Sequence, residues 1–465
     1  MTAQRRSPTA GGFRAVPICG LLMILLITSD GAASDGAPRG AGAFALMPAT
    51  GASEAREAAG QATAAARPSN GTPVSEATAG PTEDDIRALL RRMRSATLRG
   101  GVRAATFERL ASGIRLEPSV IARLGSQPEL VRPVSSYIRA LVDDSRVAEG
   151  RQRLAEHGDL LRRIEAAYGV PAPVLVAIWG IESRYGTRTG TIRVLDALAT
   201  LAAAGGRRQA FWEQQLVAAF RIVERGDVQT GDLVGSWAGA LGHTQFIPST
   251  YLARAVDFDG DGRRDIVSSV PDALASAAHH LRASGWMPGV PWGVEVALPA
   301  GFDYAFSAPG RARPVEVWDQ LKVRRADGAA LPRGAGDMQL ILPAGAEGPA
   351  FLVTRSYRAI LGYNNAMSYA IAVSLLAERI SGGPGTIAAW PTEDAPLKLD
   401  ERKEMQRHLV GLGYDVGGID GIMGNGTRDA IRAYQAGSGL AEDGHPDRDL
   451  LERLRVDMSD SQHIP

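Results

Sequence analysis

The sequence predicts an α+β fold, mainly α, with a small β-containing subdomain and a separate small domain at the C-terminal end. Three observations predict it. From Pro128 to Trp286 apolar residues recur mostly at spacings of three and four, the period of helices buried on one face. From Trp286 to Thr354 the pattern changes to short alternating or apolar runs flanked by Pro and Gly, which mark strands. Beyond a short linker, Pro391 to Pro396, a second, glycine-punctuated domain follows from Leu397 to about Val456. With 465 residues the chain is too long for one compact core and long enough for two or three domains.

In chain order, residues 1–33 have the form of an export signal. Arg5, Arg6 and Arg14 precede an apolar run, Val16 to Ile27, and Gly31-Ala32-Ala33 offers small residues for cleavage. The run is short for a membrane span of about 20 residues; an uncleaved N-terminal anchor is the alternative. Cys19, the only cysteine, lies at the start of that run, where a lipid-bearing cysteine would follow it. Cleavage leaves a chain without thiol or disulfide chemistry. Residues 34–80 are mostly Ala, Gly, Thr, Ser and Pro, too poor in large apolar groups to offset the entropy of ordering, and read as a disordered tether.

Order is expected to begin at Thr82, where Thr82 and Asp85 form a capping box ahead of Ile86, Leu89, Leu90 and Met93. Tyr137, Ile138, Leu141 and Val142 form one apolar stripe; Leu154, Leu160, Leu161, Ile164 and Tyr168 form another. Val174 to Ile181 is an apolar helix opened by Pro171 and Pro173, which suit a first turn. Ile192 to Ala204 and Phe211 to Val223 are two further helices separated by Gly205-Gly206, and Ala273 to Ala283 is another. Val294 to Leu298, Met338 to Leu342 and Ala350 to Thr354 are the expected strands of a subdomain spanning 286–355. Ile371 to Ile380 returns to helix before Gly382-Gly383-Pro384-Gly385. The main domain is thus expected over 81–390, the small one over 397–457, and a flexible tail over 458–465.

The balance of 51 basic and 51 acidic residues carries no electrostatic footprint for nucleic acid. His279 and His280 are adjacent on a helix, do not share a face, and read as polar surface rather than as metal ligands. Neither a Ser-His-Asp or Cys-His arrangement nor a phosphate-binding glycine loop is visible.

The chemical signal lies in V-P-A-P-V-L-V-A-I-W-G-I-E-S-R-Y-G, Val170 to Gly186. One carboxylate, Glu182, falls in the apolar run, on a face expected to hold Ile178, Trp179 and Tyr185. A carboxylate with such neighbours loses hydration and holds its proton more tightly, as a general acid near neutral pH must. The alternative is a helix-end Glu pointing to water beside Arg184. Two more stretches accompany it: G-S-W-A-G-A-L-G-H-T-Q-F-I-P-S-T-Y, Gly235 to Tyr251, and G-Y-N-N-A, Gly362 to Ala366.

In this order and spacing the three stretches resemble the lytic murein transglycosylases of the membrane-bound B family, glycoside hydrolase family 103. The resemblance covers roughly Thr82 to Ser381 and includes Gln127-Pro128-Glu129, Leu195 to Leu201 and Arg207-Arg208. It implies a lysozyme-like helical catalytic domain in which Glu182 is the sole acid and base. It places Ser236 near Glu182, Gln245 on substrate, and Tyr363 and Asn364 beside the acid; turn hydrogen bonding is the alternative for Ser236 and Gln245. Arg207 and Arg208 are candidates for peptide carboxylates or lactyl oxygens, and Tyr137 for the glycan groove. The substrate implied is the β-1,4 bond between N-acetylmuramic acid and N-acetylglucosamine, with a 1,6-anhydro end as product and no cofactor in the chemistry. A non-catalytic wall-binding protein of the same fold and a muramidase-type hydrolase are the alternatives. Asp196, in a helical run, reads as structural.

Asp257, Asp259 and Asp261, with Gly262 following, match positions 1, 3, 5 and 6 of a calcium loop. Arg263 offers a carbonyl at position 7, Asp265 stands at position 9, and Ser268 replaces the closing Glu of position 12. By resemblance Asp272 is the closing ligand of a structural calcium ion; an Asp-Gly turn cluster is the alternative. The C-terminal stretch, with Gly413-Tyr414, Asp420-Gly421, Gly424-Asn425-Gly426-Thr427 and Tyr434-Gln435, resembles the three-helix peptidoglycan-binding domain attached to cell-wall enzymes. The whole is expected to be an exported, periplasmic monomer acting on peptidoglycan strands, with other cell-wall enzymes as candidate partners.

Overall fold

The computed structural model describes residues 80–125, 133–206, 208–391 and 396–461. The expected export signal, nearly all of the tether, the Gln127-Pro128-Glu129 turn and Arg207 lie outside the described residues.

The first helices are α1 (Glu83–Arg99), α2 (Ala104–Ala111) and α3 (Pro118–Gly125). The capping box forms as expected: Thr82 Oγ1 accepts from Asp85 N–H, and Asp85 returns a carboxylate oxygen to Thr82 N–H at 2.8 Å. Then come α4 (Val134–Leu141), α5 (Asp144–Glu156), α6 (Gly158–Tyr168) and α7 (Ala172–Ser183). A two-residue strand, β1 (Ile192–Arg193), precedes α8 (Val194–Ala203), where helical spacing alone suggests a helix from Ile192. After α9 (Gln209–Arg225), β2 (Val234–Gly235) pairs antiparallel with β1, and α10 (Pro248–Arg254) and α11 (Val270–Ala283) follow.

The subdomain is β3 (Gly293–Ala297), α12 (Val315–Gln320), β4 (Arg324–Arg325), β5 (Gln339–Ile341) and β6 (Ala350–Val353). Its antiparallel sheet has the order β4-β3-β6-β5. Strand β4 has no apolar alternation and gave no signal in the sequence. The chain returns to the helical body through α13 (Arg355–Tyr363) and α14 (Met367–Ile380). The C-terminal domain is the expected trio, α15 (Leu399–Gly411), α16 (Asn425–Gly437) and α17 (Arg448–Ser461). The last helix continues into the stretch expected to be a flexible tail.

Among the described residues the apolar side chains bury in four clusters. One joins α4 to α7 with α11, α13 and α14; a second joins α1, α2, α3, α8, α9 and α10; the subdomain and the C-terminal domain have their own. Tyr363 packs against both helical clusters and so marks their seam.

Candidate active site

Every residue of α7 except Pro173 is buried, Glu182 and Ser183 included. Pro171 caps the helix and Pro173 lies in its first turn, so neither removes a needed N–H. The helix stops because Arg184 and Tyr185 adopt left-handed backbone angles, φ 49° and 56°. This corrects one expectation: Tyr185 lies past the helix end and does not share its face with Glu182. The reversed chain places the Tyr185 ring edge-on to Trp179, 5.8 Å between centroids, with its hydroxyl donating to Arg146 C=O at 2.6 Å. Arg184 turns to Glu149 and leaves Glu182 inside the protein.

Burial pushes the Glu182 carboxyl up to about 8, against a smaller lowering by the Tyr369 hydroxyl. That hydroxyl donates to Glu182 Oε1 at 2.6 Å. Tyr369 is fully buried near the start of α14 and was not anticipated. An aromatic residue inside an apolar helix reads as core, yet a buried phenol needs a hydrogen-bond partner, and that was the available signal. The Tyr363 and Tyr369 rings are nearly parallel, 15° apart with centroids at 6.3 Å. The Tyr363 hydroxyl donates to Thr244 C=O at 2.6 Å. One chain of contacts therefore unites the three sequence stretches: Glu182, Tyr369, Tyr363 and Thr244. Burial, and then the nearby Glu182 charge, raise the hydroxyl pKa of Tyr137, Tyr363 and Tyr369, which places all three around the acid. Asn364 is buried next to Tyr363 and caps α13.

Ser236 and Gln245 hold the glycine-rich segment in shape. Ser236 Oγ accepts the N–H groups of Ala238 and Ala240, 3.3 and 3.0 Å away. Gln245, at φ 50°, donates Nε2–H to Thr189 C=O and Gly242 C=O. Arg208 lies over the rings of Phe211 and Trp212, at 4.8 and 5.2 Å. Asp196 accepts from Arg115 N–H and pairs with Arg193, a structural role as expected. The two histidines are not polar surface. His279 Nδ1 lies 2.8 Å from Arg254 C=O, and His280 packs its ring against Tyr363 and Phe246. Burial lowers the His280 pKa to about 4.

In the acidic loop, Asp257, Asp259, Asp261 and Asp272 each present a carboxylate oxygen, all within 4.8 Å of one another. Asp265 is outside this group; its Oδ1 accepts the N–H groups of Val267 and Ser268. Asp272 is fully buried and closes the loop by accepting from Phe258 N–H at 2.7 Å and Asp265 N–H at 2.8 Å. Four hard oxygen donors, with Gly260 and Gly262 at positive φ to bend the chain between them, fit a calcium ion.

Tyr369→Phe tests the hold on the acid. The hydroxyl favours the charged carboxylate, so its removal raises the Glu182 pKa further. A hydrogen bond to a charged group is worth about 1.5–3 kcal/mol, so the shift is about one unit or more. The alkaline limb of the pH–rate profile should move upward while kcat falls. An unmoved limb would show that Tyr369 does not set the proton affinity of Glu182.

With that geometry in place, the relatives follow. Residues 85–378 match the family model for the transglycosylase SLT domain, and residues 398–454 match that for a peptidoglycan binding domain. The chain is 31% identical over 249 residues to membrane-bound lytic murein transglycosylase B of Escherichia coli strain K12, a match spanning 53% of this chain and 66% of that relative's length. SltB3 from Pseudomonas aeruginosa, solved in complex with NAG-anhNAM-pentapeptide, is 48% identical with a TM-score of 0.77, covering 80% of this chain and 99% of that one. The Escherichia coli lytic transglycosylase Slt35, solved in complex with calcium, is 25% identical with a TM-score of 0.54, covering 64% of this chain and 93% of that one. The SLT-domain match spans more than half of the chain, and this chain belongs to the transglycosylase SLT family of lytic transglycosylases.

Proposed function

We infer that the protein is a lytic murein transglycosylase in which Glu182 alone serves as acid and then as base. The observation that carries this reading is a carboxyl buried in an apolar helix, its proton affinity raised by burial, with the Tyr369 hydroxyl donating to it.

The steps balance without water. Glu182 gives its proton to the glycosidic oxygen, the bond from that oxygen to C1 of the muramic acid breaks, and the N-acetylglucosamine end leaves as an alcohol. The substrate's own acetamido oxygen bonds to C1. Glu182, now a carboxylate, takes the proton of the C6 hydroxyl. O6 attacks C1, expels the acetamido oxygen and closes the 1,6-anhydro ring, and Glu182 is protonated again. Burial supports the first half, because it keeps the proton on the acid near neutral pH. Tyr369 supports the second half by donating to the carboxylate that forms. Asn364, with both donor and acceptor, is assigned to the acetamido group. Tyr137, Tyr363, Ser236 and Gln245 are assigned to the substrate groove, the last two through the backbone they hold. Arg207 and Arg208 are assigned to the carboxylates of the stem peptide.

The C-terminal domain tethers the enzyme to its polymer and raises local substrate concentration. Work on the wall places the protein outside the cytoplasm. Among the described residues no single helix is long and apolar enough to cross a membrane. The protein acts as a monomer, with other wall enzymes as candidate partners. Mass spectrometry of sacculi after digestion tests the reaction. Anhydro ends are expected; reducing ends would identify a hydrolase, and no products a binding protein.

A structural calcium ion in the acidic loop fits its carboxylates. It neutralises their mutual repulsion and steadies the Gly235 to Tyr251 segment just before the loop. Because binding favours the folded state, millimolar calcium should raise the melting temperature relative to chelator. Asp257→Ala/Asp261→Ala should erase the difference. If the wild type melts at one temperature in both solutions, the loop is an Asp-Gly turn.

A further inference from the structure

His243 has no part in the reaction above, yet it stands between the Glu182 helix and the acidic loop. Trp179, one turn before Glu182, donates its indole N–H to His243 Nδ1 at 3.0 Å. Ser183, immediately after Glu182, donates its hydroxyl to the His243 carbonyl at 2.7 Å. The acid is bracketed by two residues bonded to one histidine. A Cβ on Gly186 would run into the imidazole, so the chain leaving α7 also packs on the ring.

The backbone of this segment is tied to the acidic loop. His243 N–H donates to Ile266 C=O at 3.0 Å. Gly242 has φ 67°, and a Cβ there would fall on the Ile266 carbonyl, so the two backbones touch without slack. Next to Ile266, Asp265 donates its N–H to Asp272 Oδ2 at 2.8 Å. Hydrogen bonds and adjacent backbone therefore run from the four-carboxylate group to Trp179 and Ser183, which flank Glu182.

We propose that His243 is a positioning residue through which calcium in the acidic loop sets the placement of Glu182. The inference rests on the calcium reading above. Without a cation the four carboxylates repel one another; with one they draw inward. Asp272 moves with them and takes the Asp265–Ile266 backbone along. His243 passes that movement to Trp179 and Ser183. The indole bond needs an acceptor at Nδ1, so the neutral ring carries its proton on Nε2.

The test uses the full chain, titrated with calcium against chelator. Calorimetry reads binding. The indole N–H resonance of Trp179, assigned with Trp179→Phe, reads the strut. Kinetics on soluble glycan strands read kcat and KM. Calcium should shift the Trp179 resonance and raise kcat about two- to thirty-fold, the range for coupling through a side-chain network, with KM unchanged. His243→Leu should bind calcium as the wild type does but lose the kcat response. His243→Asn, whose Oδ1 still accepts the indole N–H, should restore it. If the Leu variant fails to fold, Trp179→Phe removes the same bond from the other side and carries the same expectation. A purely structural histidine would lower kcat equally with and without calcium, and that result overturns the proposal. So does a wild-type Trp179 resonance that bound calcium leaves in place. Absence of binding in calorimetry removes the calcium reading and this inference together, whereas binding without coupling removes the inference alone.

Discussion

Replacing Glu182 with Gln should lower sacculus digestion by at least about 100-fold, the contribution of a positioned general acid. Gln keeps the shape and can still accept the Tyr369 hydrogen bond, but it has no proton to give. The fold should gain from the change at alkaline pH. The Glu182 carboxyl is raised by burial to about 8, above the ordinary value of 4.5. Between those values the folded protein binds more protons than the unfolded chain, so wild-type stability falls as pH rises through this window. A glutamine does not titrate. The variant should therefore melt at or above the wild-type temperature at pH 8 and above, with the advantage vanishing below the unfolded pKa. Near wild-type digestion by Glu182→Gln would sink the single-acid mechanism. A variant that melts lower at every pH would show that Glu182 does not carry the burial cost assigned to it.

The second large effect concerns the backbone that supports the glycine-rich segment. Gly190 has φ 100°, and a Cβ there would fall on the Gly235 carbonyl, with Ser236 N next at 2.6 Å. Gly190→Ala adds left-handed strain and overpacking at once, together about 3–5 kcal/mol. The β1–β2 pairing lies against this contact, so Ser236 and its turn should shift and activity should fall with stability. Gly206→Ala is the control. Gly206 also has positive φ, 80°, but its Cβ would meet nothing within 4 Å. Its cost should be about 1–2 kcal/mol, from the left-handed conformation alone. Equal destabilisation by the two substitutions, read from denaturant unfolding, would show that the Gly190–Gly235 approach is not a constraint.

Much of this protein was legible along the chain. Apolar spacing marked α1, α7, α9 and α11 because each buries a face or a whole surface, and burial writes itself into local pattern; the C-terminal trio was legible only through its resemblance to a known domain. Glu182 stood out for the same reason: a carboxylate inside a fully apolar helix must lose hydration wherever that helix packs. The Asp257 to Asp261 cluster and its glycines were equally local.

What the sequence could not determine was who meets whom. Tyr369 reaches Glu182 across 187 residues, and only the packing of α14 on α7 brings them together. Tyr185 looked like a partner at helical spacing, but left-handed turns at Arg184 and Tyr185 sent it elsewhere. His280 resembled surface until α13 placed Tyr363 on its ring. Ser236 and Gln245, named as substrate contacts by resemblance, make hydrogen bonds that hold their own loop, the alternative their residue types offered. The sequence by itself determined that one carboxylate falls in an apolar helix, and most of the helices that bury it, because these follow from local composition and period. The tertiary structure alone decided the acid's hydrogen-bond partner, the tyrosine stack and the histidine strut, because contacts between distant residues are set by packing, which no local pattern encodes.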